Sequence, residues 1–155
     1  TEAGAVIAKI INYEQPANTG DWTKKALVVS DISTSDFDFE GASNQIGALL
    51  PGTIASTKIY RSAYPNDTAA NAALLNAINQ GALLVNYFGH GSEVSWDGDI
   101  LTTAEAPLFV NGLMAPFFVN MTCWNGWFTD FETETLAVEE RQKLAQFGNE
   151  LARGA

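Results

Sequence analysis

Apolar positions along this chain come in two alternating patterns, helical stripes and short continuous runs. Val6, Ile7, Ile10 and Ile11 form a stripe that predicts a helix over Ala3–Tyr13. Gln15 to Gly20 reads as a loop. Ala26-Leu27-Val28-Val29 is a continuous apolar run, the mark of a buried strand, ending at Ser30-Asp31. The polar stretch from Asp31 to Glu40 carries Asp31, Asp36, Asp38 and Glu40. Ala42 to Leu50 is helix-like and stops at Pro51-Gly52, and Thr57 to Ser62 is the second strand. Thr68 to Gln80 predicts a helix capped by Thr68, with Gly81 just past its end. Ala82 to Phe88 is the third strand, residues 102–111 hold a short helix, and Phe117 to Met121 is the fourth strand. Thr133 to Leu151 reads as a last helix, with Glu early and Arg141 and Lys143 further along.

Strand–helix–strand repetition implies an α/β fold. Parallel neighbours need a helix-length crossover, so the expected architecture is an open, mainly parallel sheet of about four strands with helices on both faces. The chain's 155 residues suit a single domain, 1–155. Because it ends in a helix followed by Arg153-Gly154-Ala155, a further part of the sheet is expected beyond the C-terminal side.

Composition narrows the function. Hydrophobic residues make up 46% and charged residues 17%, a globular balance. A formal net charge of −10 argues against a phosphate-binding face and so against nucleic acid as partner. No apolar run is long enough to span a membrane. A single cysteine excludes an internal disulfide and a cysteine-cluster metal site.

That cysteine, Cys123, and the only histidine, His90, each follow a strand-like run. If the two runs are neighbouring parallel strands, the thiol and the imidazole emerge together at the carboxyl ends, where open α/β sheets place their sites. A thiolate is the reactive form of cysteine, and a nearby imidazole accepts its proton. Gly89 and Gly91 flank His90 and allow a close backbone approach, leaving the Gly91 N–H free to meet a carbonyl oxygen. The pair reads as a cysteine-nucleophile hydrolase. Its alternatives are a catalytically inactive surface binding module and a cysteine hydrolase acting on a non-peptide acyl substrate.

Asn86-Tyr87-Phe88-Gly89-His90-Gly91-Ser92-Glu93, followed by Trp96, resembles the histidine motif of the gingipain-like cysteine peptidases. Cys123-Trp124-Asn125-Gly126-Trp127-Phe128 resembles their cysteine motif, and the spacing fits. Ala8 to Glu14, Trp22 and Ala26 to Asp31 look like the first part of the same catalytic domain. The resemblance implies a caspase-like fold, a peptide or protein substrate and an extracellular or cell-surface setting. It also implies a longer parent protein that supplies the rest of the domain.

Residue by residue, it implies Cys123 as nucleophile, His90 as proton-transfer partner and the N–H groups of Gly91 and Cys123 as oxyanion hole. Asp31 would orient the histidine. Asp38, with Asp36 and Glu40 as rivals, would select Arg or Lys before the scissile bond. Read from their nearness to the motifs rather than from the family, Trp96 and Trp124, with Trp127, are candidates to wall a substrate cleft, core packing being the commoner use of tryptophan. No cofactor is implied except calcium, for which Asp97, Asp99, Asp130, Glu132 and Glu134 offer oxygen ligands without a defined loop spacing; solvated charges are the reading adopted. Asn120-Met121-Thr122 fits a glycosylation sequon but falls in a strand expected to be buried. One departure from the family pattern is Thr135-Leu136-Ala137-Val138-Glu139, where the acid is displaced by one residue.

Overall fold

Four parallel strands in the order β2-β1-β3-β4 carry the structure, a computed structural model that describes residues 2–15 and 19–126. They are β1 (Lys25–Ser30), β2 (Ala55–Tyr60), β3 (Leu84–Phe88) and β4 (Phe117–Met121). All three pairings are parallel, as the alternating pattern predicted. The helices are α1 (Glu2–Tyr13), α2 (Phe39–Ala48) and α3 (Asp67–Asn79). Residues through Asn125 form one compact unit.

The pleat sorts side chains between the two faces. Leu27 and Val29 of β1, Ile59 of β2, and Val85 and Tyr87 of β3 point to one face. There they meet Ala70, Leu74 and Ile78 of α3 in a single buried cluster. The spacing of those three α3 residues places them on one helical stripe. The opposite face packs on α2, whose Ser43 hydroxyl reaches the Val29 carbonyl at 3.4 Å. β1 is buried along nearly its whole length, as its unbroken apolar run requires.

The order in which strands are added reverses between β1 and β3. From β1 the chain steps to β2 on one side, and from β2 it crosses back to β3 on the other. The carboxyl ends of β1 and β3 therefore flank a topological switch point, the crevice where such sheets bind ligands. Asp31 follows β1 there and His90 follows β3, after Gly89.

Several boundaries differ from the sequence reading. The cap of α3 is Asn66, whose side chain accepts from the Ala69 N–H at 2.9 Å, not Thr68. Asparagine two residues earlier already supplies a side-chain acceptor, so the helix begins sooner. Residues 102–111 form only a short 3-10 turn at Ala106–Leu108, with Pro107 inside it. Among the described residues β4 lies at the sheet's edge, where Phe117 is 69% exposed and Asn120 of the sequon is exposed too. The last predicted helix, Thr133 to Leu151, lies outside the described residues. Among the described residues no helix is long and apolar enough to cross a membrane.

Leu74 is fully buried between α3 and the sheet. Leu74→Ala is expected to cost about 2–5 kcal/mol in urea denaturation. Val6→Ala, on the exposed stripe of α1, should stay within about 0.5 kcal/mol. Similar losses for the two variants would place α3 away from the core.

Candidate active site

The parallel register carries the histidine and cysteine motifs to the same sheet edge. Phe88 lies opposite Met121, and the Gly89 N–H donates to the Met121 carbonyl at 3.3 Å. His90 therefore leaves β3 two residues after its last paired position, and Cys123 leaves β4 likewise. Two contacts join the loops beyond. The Asn125 amide donates to the Ser92 carbonyl at 3.0 Å. Gly91 sits against Thr122 so closely that a Cβ there would lie 2.5 Å from the Thr122 Oγ1. Only a residue without a side chain permits that approach.

The cysteine is free and exposed. Its backbone turns sharply: the Asn125 N–H donates to the Cys123 carbonyl at 2.8 Å, with Trp124 between them at φ +60°. A bulky residue in this left-handed region is strained, and such strain concentrates at functional sites. The N–H groups of Gly91 and Cys123 have no hydrogen-bond acceptor among the described residues. Uncommitted main-chain donors on the two motif loops are the kind of group that stabilisation of an oxyanion uses. A cavity of about 360 Å³ opens beside the imidazole, lined by His90, Gly91, Ser92, Ser95, Asp97 and Asp99 among others.

The imidazole is fixed from two directions. Its ring meets Phe39 edge-on, with centroids 5.0 Å apart and planes at 77°. Its main chain is held by Asp31 and Tyr87. The Tyr87 hydroxyl donates to the His90 carbonyl at 2.7 Å, and the His90 N–H donates to Asp31 Oδ2 at 3.1 Å. Burial, followed by the Asp31 charge, pushes the Tyr87 phenol well above its ordinary value, so it stays a neutral donor.

Asp31 thus departs from its expected role. Oδ1 accepts from the Ile32 N–H at 2.7 Å and from Arg61 Nη1 at 2.8 Å, while Oδ2 takes the His90 N–H. The carboxylate grips the histidine's backbone, not its ring. Its side chain is 2% exposed, so the ion pair with Arg61 supplies the countercharge that burial demands.

Arg61 was not anticipated from the sequence. It carries no motif and sits where the second strand was expected to run on. The missed signal was register. Ser30 pairs with Tyr60, so Asp31 and Arg61 are each the first residue past a paired strand end. The guanidinium also forks onto Asp67, at 2.5 Å from Nε and 3.0 Å from Nη2, and Nη1 reaches Asp97 as well. These hydrogen bonds, Asp67 foremost and against the opposing effect of burial, raise the guanidinium above its already high ordinary value. Its charge is permanent.

The remaining expectations separate. Asp38 caps α2: Oδ1 accepts from the Gly41 N–H at 2.8 Å and from the Ser33 hydroxyl at 2.9 Å. Those bonds, the Gly41 N–H first, hold its carboxyl below the usual carboxylate range. The cap starts the helix at Phe39, the residue that meets the imidazole. Glu40 accepts from the Ser62 hydroxyl, and Asp36 from the Ser35 hydroxyl at 3.2 Å. Trp96 corrects an expectation. It is 2% exposed and stacks on Tyr87 with centroids 4.1 Å apart, so it belongs to the core and has almost no surface to offer a cleft. Trp124 is 60% exposed next to Cys123. Of the acids considered for calcium, Asp97 pairs with Arg61, Asp99 is exposed, and Asp130, Glu132 and Glu134 lie outside the described residues. Trp127 and Glu139 lie outside them too. Among the described residues no group of three or more His, Cys, Asp or Glu is placed to hold a metal ion.

Comparison with known proteins agrees with this fold. Gingipain R2 and gingipain R1 of Porphyromonas gingivalis are each 34% identical over 131 residues, 79% of this chain. The chain spans only 17% and 13% of their lengths. The crystal structure of the Arg-specific cysteine proteinase gingipain R superposes with a TM-score of 0.66 at 28% identity, covering 77% of this chain and 28% of that one. A complex of the pro- and mature domains of the Porphyromonas gingivalis RgpB protein superposes with a TM-score of 0.62. The family model for Peptidase family C25 matches residues 1–143, so a parallel sheet that delivers a histidine and a cysteine to one edge here belongs to a member of that family.

Proposed function

We propose that this chain carries the reacting groups of a cysteine endopeptidase, with Cys123 as nucleophile and His90 as its proton-transfer partner. The observation that carries the reading is the joined pair of loops at the carboxyl ends of β3 and β4, with the Gly91 and Cys123 N–H groups on them lacking an acceptor among the described residues.

In this mechanism the His90 ring takes the proton from Cys123 Sγ. The thiolate attacks the peptide carbonyl carbon, an S–C bond forms, and the oxygen becomes an oxyanion facing the Gly91 and Cys123 N–H groups. The imidazolium then protonates the departing amine as the C–N bond breaks, leaving a thioester. Water, losing its proton to His90, attacks the thioester. Collapse of that second intermediate breaks the S–C bond and returns the proton to sulfur.

Asp38 is the proposed selector of Arg or Lys before the scissile bond. Support comes from its exposure on the loop after β1 and from the relative described as Arg-specific. Capping engages Oδ1 alone among the hydrogen bonds of the described residues, and the group stays ionised. An extracellular or surface location, and a parent protein supplying the remaining wall of the cleft, belong to the same proposal.

Three outcomes are expected. Cys123→Ser abolishes iodoacetamide labelling of the chain at mildly acidic pH, and His90→Ala slows it by roughly a hundredfold. Labelling as fast in His90→Ala as in the unaltered chain contradicts the dyad. In the enzyme that bears this chain, Asp38→Asn lowers kcat/KM for peptides with Arg or Lys before the cleaved bond by about tenfold or more relative to uncharged residues. Asn still caps a helix, so the variant removes the charge while preserving α2. Undiminished basic preference in a folded Asp38→Asn enzyme would reassign the selector.

A further inference from the structure

We infer that Arg61 is a positioning residue for His90, bracing both sides of the histidine's backbone through Asp31 and Asp97. The inference rests on the proposed role of His90 as proton-transfer partner.

The two sides are held by different residues. On one, the His90 N–H donates to Asp31 Oδ2 at 3.1 Å. On the other, the Asp97 N–H donates to the His90 carbonyl at 3.0 Å. The carboxylates of these same two residues meet on a single nitrogen, Arg61 Nη1. Two acids drawn from separate segments would repel each other at that range without the cation. With it, the end of β1 and the turn after Trp96 are pulled onto His90 from opposite directions.

The rest of the guanidinium is anchored where it cannot drift. Nε and Nη2 fork onto both oxygens of Asp67 in the first turn of α3. Arg61 depresses the Asp67 carboxyl below its usual value, so the anchor is charged at neutral pH. This arrangement uses the planar fork of arginine: one edge for the helix, the remaining nitrogen for two acids. Gly98 completes the fit. It adopts φ +69°, and a Cβ on it would lie 2.5 Å from Arg61 Cζ. The backbone lies directly against the guanidinium, so a side chain there would have to displace it and would be strained at this positive φ.

The single histidine makes the effect measurable, because selective 15N-histidine labelling reports one backbone amide. In Arg61→Met the His90 amide is expected to exchange with solvent about tenfold faster, while the amides of Val29 and Val85 in the sheet keep their protection. Iodoacetamide labelling of Cys123 at mildly acidic pH should slow by roughly tenfold, the scale of loss that small misplacements of reacting groups produce. Arg61→Lys keeps the charge without the fork and should restore part of both. Unaltered His90 exchange and Cys123 labelling in a folded Arg61→Met chain overturns the inference.

Should Arg61→Met not fold, Asp97→Ala carries the test. That side chain is half exposed, and the substitution leaves the Asp97 N–H in place. Faster His90 exchange with slower labelling supports the brace, and unaltered values overturn it. Labelling in His90→Ala separates the two levels. If His90→Ala labels slowly and Arg61→Met labels normally, only the role of Arg61 falls. If His90→Ala labels normally, the dyad falls and takes the positioning role with it.

Discussion

One buried carboxylate organises the candidate site. Asp31 is 1% exposed, and an ionised acid so placed must be hydrogen-bonded and neutralised. It meets that demand with donors from three segments: Ile32 beside it, Arg61 after β2 and His90 after β3. The electrostatic need of a single side chain therefore pins the ends of three adjacent strands at the switch point. Removing one partner of a buried pair leaves the other charge stranded, typically at a cost of about 3–5 kcal/mol. A hydrophobic pair could stabilise the fold as well, but it would place no donor or acceptor on the histidine's backbone.

A second constraint acts through the sheet itself. β3 and β4 pair in parallel with fixed register, so the segments that carry His90 and Cys123 leave the sheet at the same edge. The small volume of Gly91 and the Asn125 amide then draw the loops together. Core packing supports the histidine from below, since Tyr87 stacks on Trp96 and directs its hydroxyl to the His90 carbonyl. The same aromatic pair that buries apolar surface thus also holds the backbone of His90. On the other face, Asp38 caps α2, and α2 presents Phe39 to the imidazole. Asp38 in this way touches two tasks, one structural and one proposed for substrate selection.

β1, β3 and β4 were legible because their runs are short, mainly apolar and bounded by polar loops, whereas β2, with one buried residue, starts and ends two residues before the expected Thr57 to Ser62. β4 was found with its observed limits, yet its burial was misjudged: periodicity identifies a strand but not whether a neighbour covers it. The cap of α3 was missed because Asn66, Asp67 and Thr68 are all competent caps in a row, and the backbone chose the first. His90 and Cys123 stood out as unique residues after strands. Arg61 did not, because two of the three acids it binds, Asp31 and Asp97, lie 30 and 36 residues away and meet it only in the fold. Trp96 shows the opposite failure. Proximity to a motif suggested a ligand contact, whereas the demand for buried aromatic area took the side chain into the core.

The most direct test of the account is whether one short bridge can span the two reacting side chains. A bifunctional alkylating reagent such as 1,3-dibromoacetone bonds first to a thiol and then to a nucleophile within its three-carbon reach. Peptide mapping by mass spectrometry after treatment of the folded chain should recover the Cys123 and His90 peptides joined as one species. Recovery of singly alkylated Cys123 with an unmodified His90, under conditions where the thiol has fully reacted, would contradict the shared site.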